Sequence, residues 1–263
     1  MPLIIILLLF VLLSSTLWVT PALAQPSEMR LDLQLKSMTL PAFDYRPTVA
    51  ESERRRFVHA GLERSYYRFV PKRRQNPVPV LIALHGAGRT GASMLDSWAP
   101  LAAQHGFVVI APDGINQDWD MRRDNLGFIQ ALVQQMATQE GIVAGPWYLF
   151  GHSSGGKLAI VLAAQNPQTF ARVAAHAASL PKPPAAAVPL PAKQPALAIF
   201  LGDNDAIFSI ASARDTTRWL DARGFDARLF VLQRHNHWYY ADAPRINETV
   251  WAFLKPASLN KQQ

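Results

Sequence analysis

The chain has 263 residues and a formal net charge of +7, with 49% hydrophobic and 17% charged residues. That length supports a large domain with a buried core, and the composition excludes disorder as a description of the whole. There is no cysteine, which excludes a disulfide framework, a thiolate metal site, a thiol nucleophile and a lipid anchor on cysteine. The basic balance does not indicate nucleic acid, because Arg54-Arg55-Arg56 and Lys72-Arg73-Arg74 are short clusters with no nucleic-acid motif beside them. They read as solvated surface charge.

Residues 1–24 carry no charged side chain. Leu3 to Leu13 is an unbroken apolar run, Ser14-Ser15-Thr16 follows, and Pro21 precedes Ala22-Leu23-Ala24. This is the layout of a signal peptide cleaved after Ala24, and it implies a secreted or periplasmic protein with no stable membrane insertion after cleavage. A retained anchor is the competing reading, since Pro2 to Ala24 is nearly long enough to span a bilayer. Residues 25–60, with Pro26, Pro41 and Pro47, read as an irregular leader. Residues 61–258 read as one domain.

Within that domain short apolar strands alternate with amphipathic helices. Strands are expected at Ser65 to Val70, Val78 to Leu84, Phe107 to Ala111, Trp147 to Phe150, Arg172 to Ala177, Leu197 to Leu201 and Arg228 to Leu232. Helices are expected at Met94 to Gln104, Asn125 to Gln139, Gly155 to Gln165, Ser209 to Arg223 and Ile246 to Leu254. This alternation implies a doubly wound, mostly parallel sheet flanked by helices. Such sheets bind ligands at the carboxyl ends of their strands.

Four strand-end segments carry chemistry. Gly151-His152-Ser153-Ser154-Gly155-Gly156 matches G-x-S-x-G between a strand and a helix, the context in which a strained turn projects a nucleophilic serine above the sheet. The plain alternative is a glycine-rich helix start with a capping serine. Leu84-His85-Gly86-Ala87-Gly88 follows an earlier strand and suits an oxyanion hole, with one N–H from Ala87 and a second from Ser154. Gly202-Asp203-Asn204-Asp205 offers two aspartates to orient an imidazole, Asp205 being preferred; a turn-forming Asp is the plain alternative. Arg234-His235-Asn236-His237 offers two histidines as the base. An H-x-H metal site is discounted for want of a third ligand cluster. The order Ser153, Asp205, His237 is that of the α/β-hydrolase triad.

These residues resemble the esterase group of α/β-hydrolases that includes polyhydroxybutyrate depolymerases, feruloyl esterases and S-formylglutathione hydrolases. The resemblance runs from about Tyr66 to Leu254. Leu81 to Gly88 resembles that group's "xxLHGxG" opening and Ala111 to Trp119 its "xPDGxxxxW" segment. Asp124 to Ile129 resembles "DDVGF", with Asn125 and Leu126 departing from it. Arg234 to Tyr240 is similar to a "GYDHSYY"-like segment, with Arg234 in place of the glycine. The resemblance implies Asp205 as the acid and His237 as the base, with His235 the runner-up. It also implies hydrolysis of small or polymeric carboxylic esters through an acyl-serine, with no metal or cofactor.

Pro181 to Pro195 holds six prolines, too short and Pro-rich for a helical lid, so an open site without a large lid domain is expected. Trp119, Trp238 and Tyr239 are candidates to line it. Two rival readings are a prolyl-oligopeptidase-like serine peptidase and a non-catalytic envelope-binding protein on a hydrolase fold.

Overall fold

The computed structural model describes residues 27–36, 38, 45–50, 53–180 and 194–255. The signal peptide expected at 1–24 lies outside the described residues, as does most of the Pro-rich stretch, 181–193. Among the described residues nine strands form one sheet: β1 (Ser27–Leu31), β2 (Arg55–His59), β3 (Leu62–Phe69), β4 (Val78–Leu84), β5 (Val108–Pro112), β6 (Ala144–His152), β7 (Arg172–His176), β8 (Ala196–Gly202) and β9 (Asp226–Leu232). The α-helices described are α1 (Gly91–His105), α2 (Leu126–Glu140), α3 (Ser154–Gln165), α4 (Ile210–Asp221) and α5 (Ala243–Leu254).

The strand order is β1-β9-β8-β7-β6-β4-β5-β3-β2. All pairs are parallel except β2 with β3 and β3 with β5. The chain moves from β4 outward to β5, then crosses back to β6 and continues the other way. The topological switch point therefore lies between β4 and β6, and a crevice opens beyond their carboxyl ends.

Alternation within each strand feeds two cores. Val80, Ile82 and Leu84 of β4 face one layer, where Phe128, Leu132 and Met136 of α2 and Leu158 and Leu162 of α3 are buried. Leu81 and Ala83 face the other, with Trp98 of α1 and Val250, Trp251 and Leu254 of α5. Because both faces are covered, the central strands read as continuous apolar runs. Asp113, just past β5, ties this end together. Its carboxylate accepts from the Gly91 N–H at the start of α1 (2.8 Å), from Ser65 Oγ (2.7 Å) and from Arg54 Nε (2.9 Å).

The α/β-hydrolase architecture expected from the sequence is the one observed. Residues 25–60, expected to be irregular, instead supply both edge strands. Residues Ser27–Leu31 are mostly exposed, with no apolar alternation to announce a strand. They pair in parallel with β9, and Arg214 of α4 makes a two-pronged contact to Glu28, at 2.7 and 2.9 Å. β2 pairs with β3 across a two-residue turn, Ala60-Gly61, in which both residues have positive φ (49° and 76°). That hairpin geometry matches the strand twist.

Candidate active site

β6 runs into α3 through Ser153, whose φ of 53° and ψ of −116° lie outside the usual regions for an L-residue. Such a conformation costs of order 1–3 kcal/mol and persists only where its surroundings enforce it. Here they do. The Ser153 N–H donates to His176 O (2.9 Å) and the Gly155 N–H to His85 O (3.1 Å). A Cβ on Gly151 would lie 2.1 Å from Gly155 O, and one on Gly155 would lie 2.5 Å from both His85 O and Leu84 O. At positions 151 and 155 the backbone is packed too closely for a side chain, which is why both are glycine.

The hydroxyl raised by this turn meets an imidazole. Ser153 Oγ is 3.0 Å from His237 Nε2, and His237 Nδ1 is 2.9 Å from Asp205 Oδ2. The other oxygen of Asp205 accepts from the N–H groups of Ile207 (2.8 Å) and Phe208 (2.9 Å). Burial pushes the Asp205 carboxyl up. The hydrogen bond from His237, the two amides and the imidazole's charge outweigh that and hold it below the usual carboxylate range. An ionised Asp205 keeps a proton on His237 Nδ1 and leaves Nε2 to accept from Ser153.

Of the two aspartates and two histidines, Asp205 and His237 are the ones in line with Ser153. Asp203 accepts from the Arg234 N–H (2.8 Å) and from Asn204 Nδ2 (2.7 Å), so it shapes the turn. His235 is fully buried and turned away from Ser153; its Nε2 is 3.0 Å from His176 Nε2, and its Nδ1 is 3.6 Å from Asp242 Oδ2. His235 and His237 thus face different partners and do not converge on a common ligand.

The loop after β4 sits directly beside the serine. A Cβ added to Gly86 would lie 3.4 Å from Ser153 Cβ. His85 fixes this loop: its Nε2 accepts from the Gly114 N–H (2.9 Å), so Nδ1 carries the proton and donates to Gly86 O (2.8 Å). Burial holds its pKa below the ordinary imidazole value. The flanking amides are engaged, Gly88 N–H with Gln117 O (2.8 Å) and Arg89 N–H with Gly86 O (3.2 Å). Ala87 is exposed at the cleft. Ser154 begins α3, so its N–H has no carbonyl one turn back within the helix. Its hydroxyl donates to Asp118.

A cleft of about 480 Å³ opens over Ser153 and His237. Of the three aromatics expected to line it, Trp238 does, half exposed. Trp119 and Tyr239 do not. Trp119 packs against the loop after β4, its Nε1 donating to His85 O (2.7 Å). Tyr239 is fully buried, its hydroxyl bonded to Asn247 and its ring stacked on His152 at 5.2 Å. The sequence reading missed Tyr240, Ile207 and Arg89, which line the cleft. Trp238 is half exposed, whereas its neighbours Tyr239 and Tyr240 are buried.

Residues 79–222 match the family model described as alpha/beta hydrolase fold; the chain belongs to the alpha/beta hydrolase family. Two curated relatives are similar over part of it. "Putative esterase NocK" of Nocardia uniformis subsp. tsuyamanensis is 33% identical over 141 residues, covering 49% of this chain and 40% of that protein. Feruloyl esterase B of Neurospora crassa is 30% identical over 124 residues, covering 42% of each. The match thus spans about two fifths of the length of these relatives. Among solved structures, an S-formylglutathione hydrolase (FrmB) from Staphylococcus aureus superimposes with a TM-score of 0.59 at 14% identity, covering 76% of this chain and 97% of that one. LpqC, a poly(3-hydroxybutyrate) depolymerase from Bordetella parapertussis, gives 0.55 at 18% identity, covering 79% and 93%. These two agree in fold.

Proposed function

We propose that this protein is a serine hydrolase of carboxylic esters, with Ser153 as nucleophile, His237 as base and Asp205 as its orienting acid. The observation that carries the reading is the continuous hydrogen-bonded line from Asp205 through His237 to Ser153, with Ser153 held on a strained turn at the switch point of the sheet. His237 takes the Ser153 proton as Oγ attacks the ester carbonyl. The N–H groups of Ala87 and Ser154 hold the oxyanion, helped by the N-terminus of α3. The proton passes from His237 to the departing alcohol. Water, deprotonated by His237, then attacks the acyl-serine and releases the acid.

The two curated relatives named as esterases support the ester class. The exposed Trp238 and the open cleft suit bulky esters of feruloyl or hydroxybutyrate type. The N-terminal pattern supports export, with cleavage after Ala24; N-terminal sequencing of the fractionated protein tests it, Gln25 being the expected first residue and an intact Met1 the contrary result. The function is tested by turnover of 4-nitrophenyl acetate, with Ser153→Ala expected to lower kcat on the order of 10⁴–10⁶-fold. Near-unchanged turnover in that variant excludes the assignment.

A further inference from the structure

Among the described residues that line the cleft, one carries a guanidinium: Arg89, two residues beyond Ala87. We propose that the site takes esters bearing a carboxylate on the same molecule, and that Arg89 binds that carboxylate. The inference rests on the ester-hydrolase reading above and names its substrate class.

Arg89 is held in place by groups that leave its charge unanswered. Its Nη1 donates to Tyr45 O (2.8 Å). Its guanidinium carbon lies 5.1 Å from the ring centre of Tyr240 and 5.8 Å from that of Tyr45. Those two rings are themselves stacked, at 4.3 Å and 3°. A guanidinium has five N–H donors, and the Tyr45 carbonyl takes one. Among the described residues no carboxylate forms an ion pair with it. The acidic groups of the neighbourhood are engaged elsewhere: Asp205 with His237, Asp118 with the Ser154 hydroxyl and the Trp119 N–H, and Asp96 with the hydroxyls of Tyr45 and Thr48.

Ala206, Ile207 and Trp238 are apolar, and Asn204 and Asn236 are amides. A planar cation on such a wall recognises a planar anion through paired charge-assisted hydrogen bonds, while the apolar part receives the hydrocarbon between carboxylate and ester. A neutral ester gains only the apolar contact.

The test compares two substrates of equal acyl length, mono-4-nitrophenyl adipate and 4-nitrophenyl hexanoate, using the full chain. The readout is the ratio of their kcat/KM values. Arg89→Gln is expected to lower the adipate-to-hexanoate ratio by roughly tenfold or more, and Arg89→Lys to lower it less. In the wild type the ratio is expected to fall as ionic strength rises to about 0.3 M. A ratio that stays within about twofold in Arg89→Gln overturns the proposal. Calorimetric titration with adipate judges Arg89 without turnover: adipate is expected to bind the wild type and not Arg89→Gln, and equal binding overturns the proposal. If Ser153→Ala still hydrolyses the hexanoate at the wild-type rate, the ester-hydrolase reading fails instead, and the adipate titration still decides the role of Arg89.

Discussion

His176 Nε2 lies 3.0 Å from His235 Nε2, and both rings are fully buried. The other nitrogen of His176 lies 3.0 Å from His152 Nδ1, and His235 Nδ1 faces Asp242 at 3.6 Å. Each nitrogen–nitrogen contact needs one proton, so the tautomer of each ring dictates that of the next. The row runs beneath the candidate site, since His152 precedes Ser153 and its ring lies 5.3 Å from that of His237. Replacing the middle ring, His176→Phe, removes the buried contacts that His152 Nδ1 and His235 Nε2 make with it. Urea unfolding is expected to show a loss of about 1–3 kcal/mol at neutral pH. A wild-type midpoint would show that these contacts contribute nothing.

The same rings predict acid sensitivity. Burial holds His152 and His176 well below the ordinary imidazole value of 6.5, and the nearby imidazoles lower them further. Their folded pKa values are depressed, so the unfolded chain binds more protons than the folded one on the acid side. The stability they contribute is fully present above about pH 6.5 and is lost as pH falls below it. Thermal unfolding followed from pH 8 to pH 5 is expected to show Tm falling below about pH 6.5, with a shallower fall in His176→Phe. A flat Tm across that window contradicts the buried neutral rings. The Asp205 carboxyl, held below 3.8, adds a separate loss at more acid pH.

Asp205→Asn is predicted to impair chemistry far more than folding. An amide in place of the carboxylate no longer requires the proton on His237 Nδ1, so Nε2 is no longer reserved as an acceptor for Ser153. A fall in kcat of about 10³–10⁴ is expected. Asp203→Asn, which alters only a turn, is expected to fall less than tenfold. Equal losses in the two variants would remove the distinction between these aspartates.

Trp238 and Tyr239 are predicted to behave oppositely. Trp238→Ala removes an exposed wall of the cleft, so KM for aryl esters rises while stability stays within about 0.5 kcal/mol of wild type. Tyr239→Phe removes the buried hydroxyl bonded to Asn247 and is expected to cost about 1–2 kcal/mol of stability. Kinetics and urea unfolding of the pair check this; a KM effect confined to Tyr239→Phe would reverse the placement.

The legible parts of this molecule were local. The Gly151 to Gly156 motif carries its own steric reason, because the close approach that requires Gly151 is to Gly155, four residues away. β4 has the bounds its sequence predicts, Val78–Leu84, because a strand buried on both faces is a continuous apolar run. What escaped depends on partners distant in the chain. β1 is exposed and polar and becomes a strand only through β9, some two hundred residues later. The row of histidines joins residues 24 and 59 positions apart. Arg89 has no motif of its own, and its place in the cleft depends on Tyr45 and Tyr240, 44 residues before it and about 150 after it.

In the proposed mechanism Ser153 is a nucleophile activated by His237. Its most direct test is reaction with a fluorophosphonate, followed by intact mass and peptide mapping. One adduct per chain is expected, on the peptide containing Ser153, with labelling absent in Ser153→Ala and slowed at least a hundredfold in His237→Asn. An unlabelled wild type, an adduct on another residue, or wild-type labelling in His237→Asn would contradict it.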